Sequence, residues 1–174
     1  AEHGPAEHHR RRVATLLAMA VTPDVEQPFA LVGGRVPDDV LAVVPDRGGW
    51  VNFVPEVDPG HEVAPRSLFA TIFSNRGNPV PLATWSAPDD EGARPTLGIE
   101  HGWGPGALAR LEEAGSPLPE GWLKLTDHAR RGLVVTAPVD VDRAEAIRWL
   151  LEAATALSTV PLTGSWLARA FLPR

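Results

Sequence analysis

Proline and glycine interrupt this chain so regularly that only short elements fit between them over most of its length. There are 18 Pro and 16 Gly in 174 residues. A proline cannot continue a helix, and it biases the residue before it away from helical geometry. Glycine-rich dipeptides mark turns. Between these interruptions lie brief apolar runs. Phe29 to Val32 precedes Gly33-Gly34. Val40 to Val44 precedes Pro45-Asp46-Arg47-Gly48-Gly49. Trp50 to Val54 alternates in side-chain character. Leu68 to Phe73 and Val80 to Trp85 flank Asn75-Arg76-Gly77-Asn78-Pro79. This spacing predicts an antiparallel β-meander. Val40 to Val44 has a second reading, because Asp38 or Asp39 can cap a short helix there. The stretch Val57 to Arg66 reads as loop.

Two longer periodic segments stand apart. Val13, Leu16, Leu17 and Ala20 recur at helical spacing, which predicts a helix over 6–20. Arg10-Arg11-Arg12 before the apolar run Val13–Val21 imitates a signal peptide. The cleavage-like Ala18-Met19-Ala20 falls inside the run rather than after it, so the helix reading is preferred. Ala146, Trp149, Leu150, Ala153 and Leu157 form the stripe of another helix. Asp140 or Asp142 is placed to cap it, and it ends near Leu157.

The polar segment 87–95, APDDEGARP, divides the chain into 1–86, a helix followed by the meander, and 96–174; the two parts can also share one sheet. In the second part, Thr96–Glu100 reads as a strand and Ala107–Ala114 as a helix stopped by Gly115. Trp122–Leu125 and Leu133–Ala137 read as strands, followed by the helix above and a last strand, Trp166–Leu172. The order β-α-β-β-α-β is that of the ferredoxin-like fold. The expected class is α+β with a mainly antiparallel sheet.

Composition narrows the function. Lys+Arg 16 against Asp+Glu 22 leaves a net charge of −6. Such a chain lacks the cationic footprint that sequence-independent nucleic-acid binding needs. Zero Cys excludes disulfides, zinc–thiolate sites, iron–sulfur clusters and Cys nucleophiles. No apolar stretch reaches the ~20 residues that span a bilayer. A cytoplasmic protein with no membrane or nucleic-acid partner is expected. Lys124 is the single lysine among the basic residues. That bias, with abundant Ala, Pro and Gly, suggests a bacterial source with a genome rich in G and C.

Candidate chemistry centres on the second half. Gly102, Gly104 and Ala107 fit G-x-G-x-x-A between a strand and a helix, and Asp127 follows at roughly the spacing of a dinucleotide site. Pro105 removes one N–H from that loop, and the strand after it turns back in a hairpin, so this reading is set aside. A more general expectation remains: Gly102, Gly104 and Gly106 offer backbone N–H groups to an anion at a helix start. Trp103 in the same loop offers an indole for a flat ligand or a partner protein.

Glu100-His101 and Asp127-His128 each end a strand. Converging imidazoles would support acid/base chemistry near neutral pH. Arg130 and Arg131 would clamp a carboxylate or phosphate. His61-Glu62 lacks the second His of a zincin, since Pro65 stands in its place. His3, His8 and His9 with Glu2 and Glu7 are read as a frayed terminus in preference to a metal site. No G-x-S-x-G and no Walker sequence occurs.

Two functions follow as expectations. The first is a small-ligand-binding or protein-interaction module, with a homodimer through a sheet face or edge as one form. The second is a small enzyme that works without metal or organic cofactor. It would use His101 and His128 on a small acidic substrate.

Overall fold

The computed structural model describes residues 22–62 and 77–173. The expected helix over 6–20 and the expected strand Leu68–Phe73 lie outside these residues. The described chain is α+β. Seven strands form one open sheet: β1 (Val25–Ala30), β2 (Trp50–Val57), β3 (Leu82–Ser86), β4 (Thr96–Glu100), β5 (Leu123–His128), β6 (Gly132–Thr136) and β7 (Leu162–Phe171). Three helices are described, α1 (Asp38–Ala42), α2 (Ala107–Glu113) and α3 (Arg143–Leu157). The strand order is β1-β7-β2-β3-β4-β6-β5, and every neighbouring pair is antiparallel.

The order of elements from β4 onward is β-α-β-β-α-β, as expected. Their order in the sheet is not the ferredoxin-like one. That arrangement would set the last strand beside β4. Here β2 and β3 lie between β7 and β4. The expected meander is corrected by the same fact, since β1 pairs with β7 and never with β2. β7 is ten residues long and can serve both neighbours at once. Its small inward residues Ala168 and Ala170 sit opposite Phe53 and Val51 on one side and Gln27 and Val25 on the other. The segment 87–95 joins β3 to β4, which are hydrogen-bonded neighbours.

Alternation along the strands separates two faces. On one face Ala170, Val51, Trp85, Leu97 and Val135 stand in register across five strands. Ala168, Phe53, Ala83, Ile99 and Leu133 form the next row, and all ten are buried. Over these rows lie α2 and α3, which touch each other and so share this face. α3 runs above β3 and β4, the strands it must cross between β6 and β7. It buries Ile147, Leu150, Leu151 and Leu157 among others. Each fully buried side chain of this size contributes about 1.5–3 kcal/mol. Asp142 caps α3 by accepting from the Glu145 N–H at 2.9 Å. Trp149 is buried as its stripe predicts, and its indole N–H donates to the Pro117 carbonyl at 2.9 Å.

The opposite face carries Trp50, Asn52, Thr84, Gly98 and Val134, with Thr84 Oγ1 donating to Asn52 Oδ1 at 2.9 Å. The two edges differ. β1 has Pro28 in its middle, which offers no N–H to a further strand. β5 has no proline. Its register against β6 shifts between Lys124 and Thr126, so one residue bulges.

Val40–Val44 resolves in favour of the short helix, the five-residue α1, but neither aspartate caps it: the N-cap is Pro37, without a side-chain cap bond, and Asp38 and Asp39 lie within the first turn. Among the described residues no helix is long and apolar enough to cross a membrane.

Candidate functional site

β4 and β5 are each antiparallel to β6 and therefore point the same way. Their C-terminal ends meet at one end of the sheet, on either side of the start of β6. A third segment joins them. Gly77 donates its N–H to the Ala129 carbonyl at 3.0 Å. A Cβ on Gly77 would collide with the His101 carbonyl oxygen. A Cβ on Gly102 would meet the backbone of Asn78 and Pro79 at about 3 Å. Three segments thus converge: Gly77–Pro79, the β4–α2 loop His101–Gly106, and the β5–β6 hairpin His128–Arg131.

His101 follows Ile99 on the helix-covered side and is 1% exposed. Among the described residues, neither ring nitrogen has a hydrogen-bond partner. Burial lowers its pKa from 6.5, and the negative charge of Asp127 opposes part of that effect. The ring is therefore neutral at pH 7, with one N–H left without an acceptor, an arrangement that costs about 1–3 kcal/mol.

Asp127 is the residue whose part in the corner its spacing misstates. Its carboxylate accepts from the Ala107 N–H at 3.1 Å and the Leu108 N–H at 3.3 Å. Gly104 and Gly106 both have positive φ, which lets the loop turn directly into α2. Gly106 is the N-cap and has no side chain to offer the first amides. Asp127 supplies that acceptor from another strand. The carboxylate that sequence spacing would assign to a ribose thus closes a seven-residue helix, and the first two amides of α2 are occupied.

His128 is exposed. Adjacent residues on a strand face opposite ways, so it points away from Asp127 and from the helix-covered face. Its Nδ1 accepts from the Arg130 N–H at 3.1 Å and holds the hairpin turn. Arg130 and Arg131 are both exposed in that turn. Gly102, Trp103, Gly104 and Gly106 all lie in the β4–α2 loop. His101 and Asp127 come together, while His101 and His128 present their rings to opposite sides of the sheet.

Trp103 is 40% exposed, and the Arg110 guanidinium carbon lies 4.6 Å from the centre of its ring. That pairing had no sequence signal, because it links a loop residue to a helix residue seven positions on. Arg110 Nε is buried without an acceptor among the described residues. Elsewhere, Arg47, Arg143, Arg148 and Arg169 pair with Glu91, Asp46, Glu152 and Glu26. Among the described residues, Arg110, Lys124 and Arg131 have no carboxylate partner.

The other end of the sheet holds a cleft of about 840 Å³ between α1, the start of α3 and the β3–β4 connection. Three of its polar side chains are already engaged. Arg143 donates to the Val44 carbonyl at 2.7 Å and pairs with Asp46, and Asp142 caps α3. The indole N–H of Trp85, which lines this cleft, is itself buried. Among the described residues no three His, Asp or Glu side chains are grouped to hold a metal.

Comparison with known proteins matched this chain to no protein family, no curated protein and no solved structure.

Proposed function

We propose that this chain is a binding module that receives an anionic group, of a small ligand or of a protein partner, at the corner built by the β4–α2 loop and the β5–β6 hairpin. One observation carries the reading. An indole is held open to solvent at Trp103 with the Arg110 guanidinium fixed across its ring. A flat apolar surface beside a positioned cation is suited to a carboxylate or phosphate attached to a planar or apolar body. Arg131 adds positive charge on the neighbouring hairpin. The glycine loop serves as the mount for Trp103, since the amides that open α2 are taken by Asp127.

Binding is favoured over catalysis by the use already made of the titratable groups. An enzyme of the kind considered needs His101 and His128 around one substrate. His101 is enclosed on the helix-covered side and His128 holds a turn on the other.

The test is a titration of the ¹⁵N-labelled protein with pyrophosphate and, separately, citrate, followed through the indole N–H resonances of the six tryptophans. The Trp103 resonance should move and saturate, and Arg110→Ala should weaken the response at least tenfold. If both anions leave the Trp103 resonance in place up to 10 mM, an order of magnitude above weak millimolar binding, the proposal fails.

A further inference from the structure

We infer that the partner is an acidic, extended peptide segment that pairs with β5 as an eighth strand of the sheet. This rests on the binding reading above and extends it along the edge. Among the described residues β5 pairs only with β6, and no described strand bonds to the other side of its backbone. Extended peptides use such edges, taking affinity from main-chain bonds and specificity from alternate side chains. The opposite edge is unsuited, because Pro28 interrupts β1. β5 instead exposes two large apolar side chains, Leu123 at 53% and Leu125 at 59%. Leu125 is the residue left without a register partner at the shift between Lys124 and Thr126.

Charge selects the occupant. Lys124 stands between the two leucines and has no carboxylate partner among the described residues. At the far end of the strand lie Arg131 and the Trp103–Arg110 pair. A second copy of this chain would bring another Lys124 edge against the first, and like charges across a strand pair are unfavourable. A segment alternating apolar and carboxylate residues meets both requirements. Its apolar side chains cover Leu123 and Leu125, and its carboxylates face Lys124 and Arg131.

The probe is a fluorescein-labelled decapeptide of alternating Leu and Glu, measured by fluorescence anisotropy with the full chain. Three companions accompany it: the same peptide N-methylated at alternate residues in each of the two registers, and an alternating Leu–Lys peptide. The Leu–Glu peptide should bind. One N-methylated form should bind at least tenfold more weakly, because a methylated amide cannot donate to an edge. Lys124→Glu, at an exposed position, should lower affinity at least tenfold, and the Leu–Lys peptide should not compete. Equal binding of both N-methylated forms would overturn strand addition while leaving the anion-binding corner intact. No binding of the Leu–Glu peptide, with pyrophosphate or citrate still moving the Trp103 resonance, would overturn it in the same way. A dimer in sedimentation that Lys124→Glu abolishes would overturn it in favour of self-pairing. Failure of both the peptide and the small anions would remove the underlying reading as well.

Discussion

The Asp127 carboxylate closes the first turn of α2, accepting from the Ala107 N–H across a sequence separation of 20 residues. A side chain at the end of an edge strand thereby anchors the helix that carries Arg110. Asp127→Ala should lower stability by about 1–2 kcal/mol, the usual worth of a lost helix cap. Asp127→Asn retains one acceptor and should cost less. Urea denaturation of the three proteins tests the order. Because the Asp127 charge raises the pKa of His101 against the effect of burial, Asp127→Asn should also shift that pKa further down, as an imidazole NMR titration would record.

His101 links folding to pH. Its folded-state pKa lies below 6.5, so the unfolded chain takes up a proton that the folded chain refuses. Stability should therefore be constant with respect to this group above about 6.5 and decline as pH falls through the window beneath. The slope is at most about 1.4 kcal/mol per pH unit. His101→Leu should remove this contribution between pH 6.5 and 5. At pH 7 it should match or exceed the parent stability by about 1 kcal/mol, because it deletes a buried polar group that lacks partners. A His101→Leu protein that keeps the parent's full pH slope would contradict the assignment.

Gly77 and Gly115 separate two reasons for glycine. Gly77→Ala would drive a methyl group into the His101 carbonyl oxygen. A loss above about 2 kcal/mol is expected, as for other overpacked positions. Gly115 has a φ of 79° and open space around its missing side chain. Gly115→Ala should cost only the left-handed conformation, about 1–2 kcal/mol. Thermal unfolding of the two variants should place Gly77→Ala lower.

Trp149 combines a hydrogen bond to Pro117 with an edge-to-face contact to Trp122 at 4.9 Å between ring centres. Trp149→Phe keeps an aromatic ring but leaves the Pro117 carbonyl without its donor. A loss of about 1–2 kcal/mol is expected in denaturant unfolding.

The elements of the second half were legible because each has its own punctuation. Gly115 ends α2, and Asp142 is one of the two aspartates placed to begin α3. Sheet order was not legible. Alternation states which side chains face the core but not which strand lies alongside. Nothing in Trp50–Val57 or Leu82–Ser86 announces that this strand pair lies between β4 and β7. α1 is too short for a helical period to register, so only Asp38 and Asp39 pointed to it. At the site, Trp103 stood out as an indole in a glycine loop. Arg110 did not, because its contact depends on how the loop turns. Asp127 could be noticed but not interpreted, since its partners are backbone amides brought near by the fold.

Among the described residues, β1 is hydrogen-bonded into the sheet through β7 alone, although Phe29 also packs edge-to-face on Phe53 of β2. During synthesis on the ribosome, residues 25–30 emerge early and must wait for residues 162–171 before their ladder can form. The β5–β6 hairpin needs no such delay, and β2 can pair with β3 before β7 is made. The chain is thus expected to acquire its middle first and its β1 border last. Slow closure of this kind accompanies contacts distant in sequence, and a chain halted before residue 162 would leave β1 without a docking strand.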